Sequence, residues 1–373
     1  MNKNKSDHKS RQYTRRNALS AGGVLGLTAL TGIPVVNGES MVELPKVVRG
    51  DEVIETFRVP RSWHDHTNQA DRIRSELREK YNQYEWFSYI GQGADDNRMF
   101  GELSAHQITV YTESAEGQDS NIPKEAIDLI PDEVDGVNIS IDEAKKRTPD
   151  NHYEDEPTCT EENDSYDCVP GGSKFATCHS TGCIADDDHI IASAHGFFDS
   201  CDEDIEGDSA YSGSYSNKIG EIVDYDRKLD VSKIDSSGEV DGINNSIAND
   251  SNVDVVGAAT ENFVDSLISN YDSVFQMGST TGRTSGYLDE KVSRETRPCR
   301  EEAVTQLSLT PEAAGGDSGG PHYHVNDYDN AAILAIHNSH SHYSGNHYRS
   351  FGAAGYEIQD KTGWTIGSAN SSC

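Results

Sequence analysis

A chain of 373 residues is long enough for two ordinary domains and a targeting segment. Its 64 acidic and 31 basic side chains leave a formal charge of −33, a surface that repels a phosphate backbone, so nucleic acid is excluded as a partner. Acid spread over the whole chain in this way points to a solvated surface adapted to concentrated salt.

The start of the chain breaks that pattern. Lys3, Lys5, Lys9, Arg11, Arg15 and Arg16 face only Asp7, and loss of the segment through Gly38 would take the charge to −38. Thr14-Arg15-Arg16-Asn17-Ala18-Leu19 leads into an uncharged stretch, Ala18 to Val36, interrupted by Gly22, Gly23, Gly26, Gly32 and Pro34. Residues 1–40 thereby resemble a twin-arginine export signal. No other segment approaches the roughly 20 apolar residues that span a bilayer. The expectation is an exported protein with no stable membrane insertion after signal removal.

Residues 45–150 contain no cysteine and carry mixed periods. Ile73, Leu77, Tyr81 and Tyr84 share a helical face. Gln107 to Tyr111 and Val137 to Ile141 read as strands, with a short helix over Ile122 to Ile130 opening at Pro123. That is a small α+β module. An acidic linker over 151–168 follows.

From 169 to 373 the texture is short apolar runs broken by Gly, Asn, Asp and Ser: Ile190 to Ala192, Ile219 to Val223, Val253 to Val256, Gln306 to Leu309, Ala331 to Ile336. With no long helical period between them, these runs predict a mainly β domain, a barrel or sandwich. All seven cysteines (Cys159, Cys168, Cys178, Cys183, Cys201, Cys299, Cys373) lie in or just before it. In an exported protein this reads as a disulfide framework, and the odd count leaves at least one thiol over.

The sharpest local signal is Gly316-Asp317-Ser318-Gly319-Gly320-Pro321. A serine hydroxyl attacks well only when presented on a tight turn beside a base and a pair of oxyanion donors. Upstream, His189-Ile190-Ile191-Ala192-Ser193-Ala194-His195 is an apolar strand delivering a histidine at its end. Lys228-Leu229-Asp230-Val231 places an acid before another strand, with Asp224 and Asp226 as rivals. The order His, Asp, Ser is that of chymotrypsin rather than of subtilisin or the α/β-hydrolases.

With Gly278-Ser279-Thr280-Thr281-Gly282, these segments resemble the chymotrypsin-like (trypsin-fold) serine peptidases, closest in motif to the secreted microbial streptogrisin and α-lytic types, over residues 170–365. The resemblance implies a chymotrypsin-like double β-barrel with Ser318 as nucleophile, His195 as base and Asp230 as orienter. It implies Gly316 and Ser318 N–H as the oxyanion hole, no cofactor, and a monomer acting on protein or peptide substrates. A trypsin-fold binding protein without catalysis and an esterase with the same triad are the competing functions.

The departures are as informative. The microbial relatives place an arginine just before the Gly-Ser-Thr-Thr-Gly hairpin to neutralise the acid before the nucleophile. Here Gln276 and Met277 stand there, which leaves Arg283 as the candidate partner of Asp317. A disulfide often flanks the histidine in this family, and Cys201 with Cys183 or Cys178 would serve. Two pocket cues conflict: Glu312 suits a cationic substrate side chain by Coulomb attraction, whereas His337 suits an acidic one. The cluster His322, His324, His337, His340, His342 and His347 is read as polar loop histidines rather than a zinc site.

Overall fold

The computed structural model describes residues 39–113, 122–144, 148–149, 168–175, 179–295 (apart from 187, 199, 201, 214–216, 238, 240, 241 and 249), 303–343 and 347–368. The proposed export signal lies outside them, as does most of the acidic linker.

The first elements are a hairpin, β1 (Met41–Arg49) and β2 (Glu52–Pro60), then α1 (Arg61–Tyr81), β3 (Phe87–Phe100), β4 (Leu103–Thr112), α2 (Lys124–Leu129), β5 (Glu133–Val134), β6 (Val137–Glu143) and β7 (Thr148–Pro149). Helix α1 buries Ala70, Ile73, Leu77 and Tyr81, three or four apart, against Ile90, Ile108, Val110 and Ile139 of the strands. Tyr84 lies beyond the helix end, where its ring stacks on Trp86.

The second part begins with β8 (Cys168–Gly171), β9 (Thr181–Ala185), β10 (His189–Ser193), β11 (Ser209–Tyr211), β12 (Lys218–Asp226), β13 (Val231–Asp235) and β14 (Gly242–Ile247). Strands β11-β12-β13-β10-β9 form one five-stranded sheet. It curls around Ile184, Ile190, Ala192, Ile222, Ile234 and Ile243.

The chain continues through β15 (Asp250–Ala259), α3 (Glu261–Asn270), β16 (Ser273–Gly278), β17 (Gly282–Glu295), β18 (Ala303–Leu309), β19 (Pro321–Val325), β20 (Asn330–Tyr343), β21 (His347–Ala354) and α4 (Gly355–Thr362). Here the pairings β16-β17-β18-β21-β20-β19-β16 return to their starting strand, which closes a six-stranded antiparallel barrel. Closure removes the exposed edges an open sheet would carry. The fold is mainly β, a double β-barrel preceded by an α+β module. Helix α3 was not expected; Thr260 caps it by accepting from Phe263 N, and it buries Phe263, Val264, Leu267 and Ile268 against the closed barrel.

The N-terminal module shares its sheet with the second barrel. Strand β3 pairs with β17, Gly91 opposite Val292, and β1 pairs with β15, Val47 opposite Ala259. Beside that seam the fully buried Lys291 places its Nζ 2.8 Å from Asp71 of α1, 3.0 Å from Glu261 and 2.8 Å from Asp265 of α3. The three carboxylates hold the ammonium charged despite its burial. On the neighbouring residue, Tyr111 Oη and Arg349 Nη1 both donate to Glu290, at 2.7 and 2.9 Å.

Removing one member of a buried pair strands the other charge. Lys291→Met should therefore lower unfolding stability by about 3–5 kcal/mol. Adding Asp265→Leu should recover most of that loss, since an apolar pair of similar volume is tolerated where a lone carboxylate is not. Denaturant midpoints of the two variants check both outcomes.

Candidate active site

Strand β10 is short and apolar, with Ile190, Ile191 and Ala192 buried. Once its pairing ends, a 3-10 turn over Ala194–Gly196 carries His195 to the mouth of the first barrel. Strand β13 pairs with β10 in a register that sets Val231 opposite Ser193. Asp230, one residue earlier, therefore lies against the same turn. Its carbonyl accepts from Ala194 N at 3.2 Å, and its Oδ1 from His195 N at 2.9 Å. Oδ2 lies 2.7 Å from His195 Nδ1.

Asp230 adopts a left-handed φ of 58°, a conformation that side chains other than glycine adopt at a cost and that cross-bonding of this kind sustains. Burial pushes its carboxyl up from the ordinary range, while His195 and the backbone donors pull it down. The rival acids are occupied elsewhere: Asp224 accepts from Trp364 Nε1, and Asp226 from Leu229 N.

On the other side, His195 Nε2 is 2.9 Å from Ser318 Oγ. With Asp230 ionised it accepts from Nδ1–H, which leaves Nε2 bare to accept the serine proton. The three residues expected to act together are thus brought together, two by the first barrel and one by the second.

Ser318 sits between Gly316 and Gly319, whose φ values of 100° and 90° make the turn. The peptide carbonyls of this loop are tied to its neighbours. Thr280 Oγ1 donates to Gly315 O, Ser279 Oγ and Ser180 Oγ to Gly316 O, and Gly320 N to Asp317 O. A trans peptide points N–H opposite to C=O. The Gly316 and Ser318 N–H groups therefore face away from the hairpin and from Gly320, as donors to a developing oxyanion must.

Asp317 corrects one expectation. Arg283 does not meet it: Arg283 Nε lies 2.9 Å from Asp250 and 3.1 Å from Tyr323 Oη, with its guanidinium over the Phe275 ring. Asp317 is fully buried and accepts instead from Thr280 N at 2.9 Å, Thr281 N at 3.1 Å, Thr281 Oγ1 at 2.7 Å and Ala314 N at 2.9 Å. These hydroxyls and amides of the Gly-Ser-Thr-Thr-Gly hairpin are the residues that sequence reasoning missed. The string was visible, but as a family mark rather than as a set of donors.

The pocket cues separate. Glu312 is exposed, and its backbone carbonyl accepts from Thr284 Oγ1. His337 is fully buried on β20, bonded through its backbone to Gly319 N and Gly320 O on either side of the turn after Ser318. Its Nδ1 is 3.2 Å from Nε2 of the equally buried His322, which desolvation holds neutral. These two and His340 are buried strand residues, not loop histidines; the apolar run before them carries them into the barrel. Cys183 is a free, buried thiol, its pKa pushed up to about 12 by desolvation, so it does not pair with Cys201. The other six cysteine side chains lie outside the described residues. Strand β7 pairs with β20, Pro149 opposite Ser339 and Thr148 opposite His340.

Thr281→Val removes one of four donors from a buried carboxylate. Hydrogen bonds to charged groups contribute about 1.5–3 kcal/mol each, and the unfolding free energy should fall by that amount. Denaturant unfolding of the variant against wild type measures it.

No protein-family model and no curated protein matches this chain. Among solved structures it is similar to Cellulomonas bogoriensis chymotrypsin (18% identity, TM-score 0.37, over 53% of this chain and 97% of that one). It is also similar to Thermobifida fusca protease A (18%, TM-score 0.40, 54% and 100%). A third is a glutamic acid specific serine protease described as using a histidine triad in substrate binding (20%, TM-score 0.40, 53% and 100%).

Proposed function

We propose that this chain is a serine endopeptidase, exported by the twin-arginine route and working in concentrated salt. The observation that carries the proposal is the continuous chain Asp230 Oδ2, His195 Nδ1, His195 Nε2, Ser318 Oγ, with both links between 2.7 and 2.9 Å. His195 takes the hydroxyl proton as Ser318 attacks a peptide carbonyl. It then gives that proton to the leaving amine, and water repeats the sequence on the acyl-enzyme. Gly316 and Ser318 N–H receive the oxyanion.

A binding protein built on the same fold has no need to keep all three groups at bonding distance. Ser318→Ala in the exported enzyme should lower hydrolysis of a labelled protein in multimolar salt by about a million-fold. A serine-directed phosphonylating reagent should label wild type and spare the variant. Folded wild type that neither cleaves nor reacts would leave the binding-protein reading in its place.

Of the two pocket cues, His337 is favoured. An exposed acid such as Glu312 acts on a cationic side chain through solvent, where 1 M salt cuts the screening length to about 3 Å. A buried imidazole acts by hydrogen bonding, which salt screens far less. His337, whose Nδ1 lies 3.2 Å from His322 Nε2, is the group read as meeting a substrate carboxylate by hydrogen bonding. Peptides with Glu before the scissile bond should be cleaved at least about ten-fold faster than those with Lys, one good charge-assisted hydrogen bond's worth. Equal rates would remove His337 from this role.

The N-terminal module is proposed as a pro-region that folds with the second barrel and ends, through β7, on the strand next to His337. Full activity of secreted enzyme that still contains residues 45–150 would exclude an inhibitory role.

A further inference from the structure

We propose that His179 is a positioning residue for His195, holding the base from the side that neither Asp230 nor Ser318 covers; this rests on the peptidase reading above. Three observations meet at this side chain. Its ring packs edge-on against the His195 ring, with centroids 5.4 Å apart and planes at 68°. It is only 5% exposed, so the contact lies inside the protein. And it fills the space over the residue that follows the base: a Cβ built on Gly196 would stand 2.9 Å from both Cδ2 and Cγ of His179.

No side chain fits at 196 while His179 is in place.

The backbone of the same segment reaches the nucleophile. Ser180 N donates to Ser318 O at 2.8 Å. Ser180 Oγ donates to Gly316 O at 2.9 Å and accepts from Ser279 N at 2.8 Å. One residue earlier, His179 O accepts from Phe175 N at 2.7 Å, and Phe175 packs on Phe197 just after the His195 turn. His179 and Ser180 thus touch the base with a side chain and the nucleophile loop with a backbone. The base belongs to the first barrel and the loop to the second, so this segment fixes the Nε2 to Oγ separation across the junction. A displacement of about 1 Å at such a contact is enough to slow chemistry by about a hundred-fold.

The test compares kcat and KM of the exported enzyme carrying His179→Ala, His179→Phe or Gly196→Ala, and of the Gly196→Ala, His179→Ala double variant. Thermal midpoints of each confirm folding. His179→Ala should lower kcat by about 10- to 100-fold with KM within about three-fold of wild type, because geometry rather than binding is lost. His179→Phe keeps the aromatic edge and should return kcat to within about five-fold of wild type. Gly196→Ala should slow wild type comparably, yet slow the His179→Ala background by less than about three-fold, since its clash partner is gone.

Unchanged kcat in His179→Ala, a loss in His179→Phe equal to that in alanine, or multiplicative losses in the double variant would each overturn the proposal. Where His179→Ala does not fold, His179→Gln takes its place in both comparisons with the same expectations. An inactive wild type that the phosphonylating reagent does not label would instead remove the peptidase reading, a result distinct from all of these.

Discussion

The loop that carries Ser318 is organised around a buried acid held by neutral donors. Asp317 is buried next to Ser318, and a carboxylate taken out of water costs several kcal/mol unless donors replace its hydration. Three backbone amides, those of Thr280, Thr281 and Ala314, and the Thr281 hydroxyl reach it. Those groups come from two separate connections of the closed barrel, so meeting the carboxylate draws both connections to one point. Once they are there, Thr280 holds the Gly315 carbonyl to one side, and the Gly316 N–H of the same peptide points to the other. Four neutral donors stand where an arginine was expected to meet the acid.

Much of this was legible in the sequence, for a reason that can be stated. The strands around the site are short apolar runs with turn residues on both sides, and each such run is a local signal. His195 follows the apolar run Ile190 to Ala192, and Asp230 sits just before the apolar strand that starts at Val231, so both lie at strand ends. What was not legible is what depends on partners distant in the chain. Nothing in β3 announces that it will pair with β17, because backbone hydrogen bonds carry no residue signature. Helix α3 was hidden for a different reason. Its apolar set, Phe263, Val264, Leu267 and Ile268, is short and sits among Asn, Ser and Asp that otherwise mark turns; the cap at Thr260 was the available clue. The partner of Asp317 was sought among cations because charges are easy to count, and the hydroxyls at 279–281 were read as a family mark rather than as donors.

The distribution of the cations bears on how the two parts of the molecule relate. Only 31 basic side chains oppose 64 acids, and several of them are at or near the seam between the N-terminal module and the second barrel. Arg74 pairs with Asp71 and Glu261, Lys291 with Asp71, Glu261 and Asp265, Arg349 with Asp289 and Glu290, and Arg78 donates to Ser293. Exposed pairs lose most of their attraction in concentrated salt, whereas buried ones are screened far less. Lys291 and Arg74 are buried at this seam, so the pairs they make there are screened by salt far less than exposed ones. The apolar contacts of Tyr89 and Tyr111 with Val292 and Phe351 reinforce it, and salt strengthens such burial. It follows that cutting the polypeptide between 150 and 167 does not by itself free the two barrels. The β3–β17 and β1–β15 ladders and the Lys291 cluster still join the pieces, so release of the module requires a further step that opens the seam or digests the module in place.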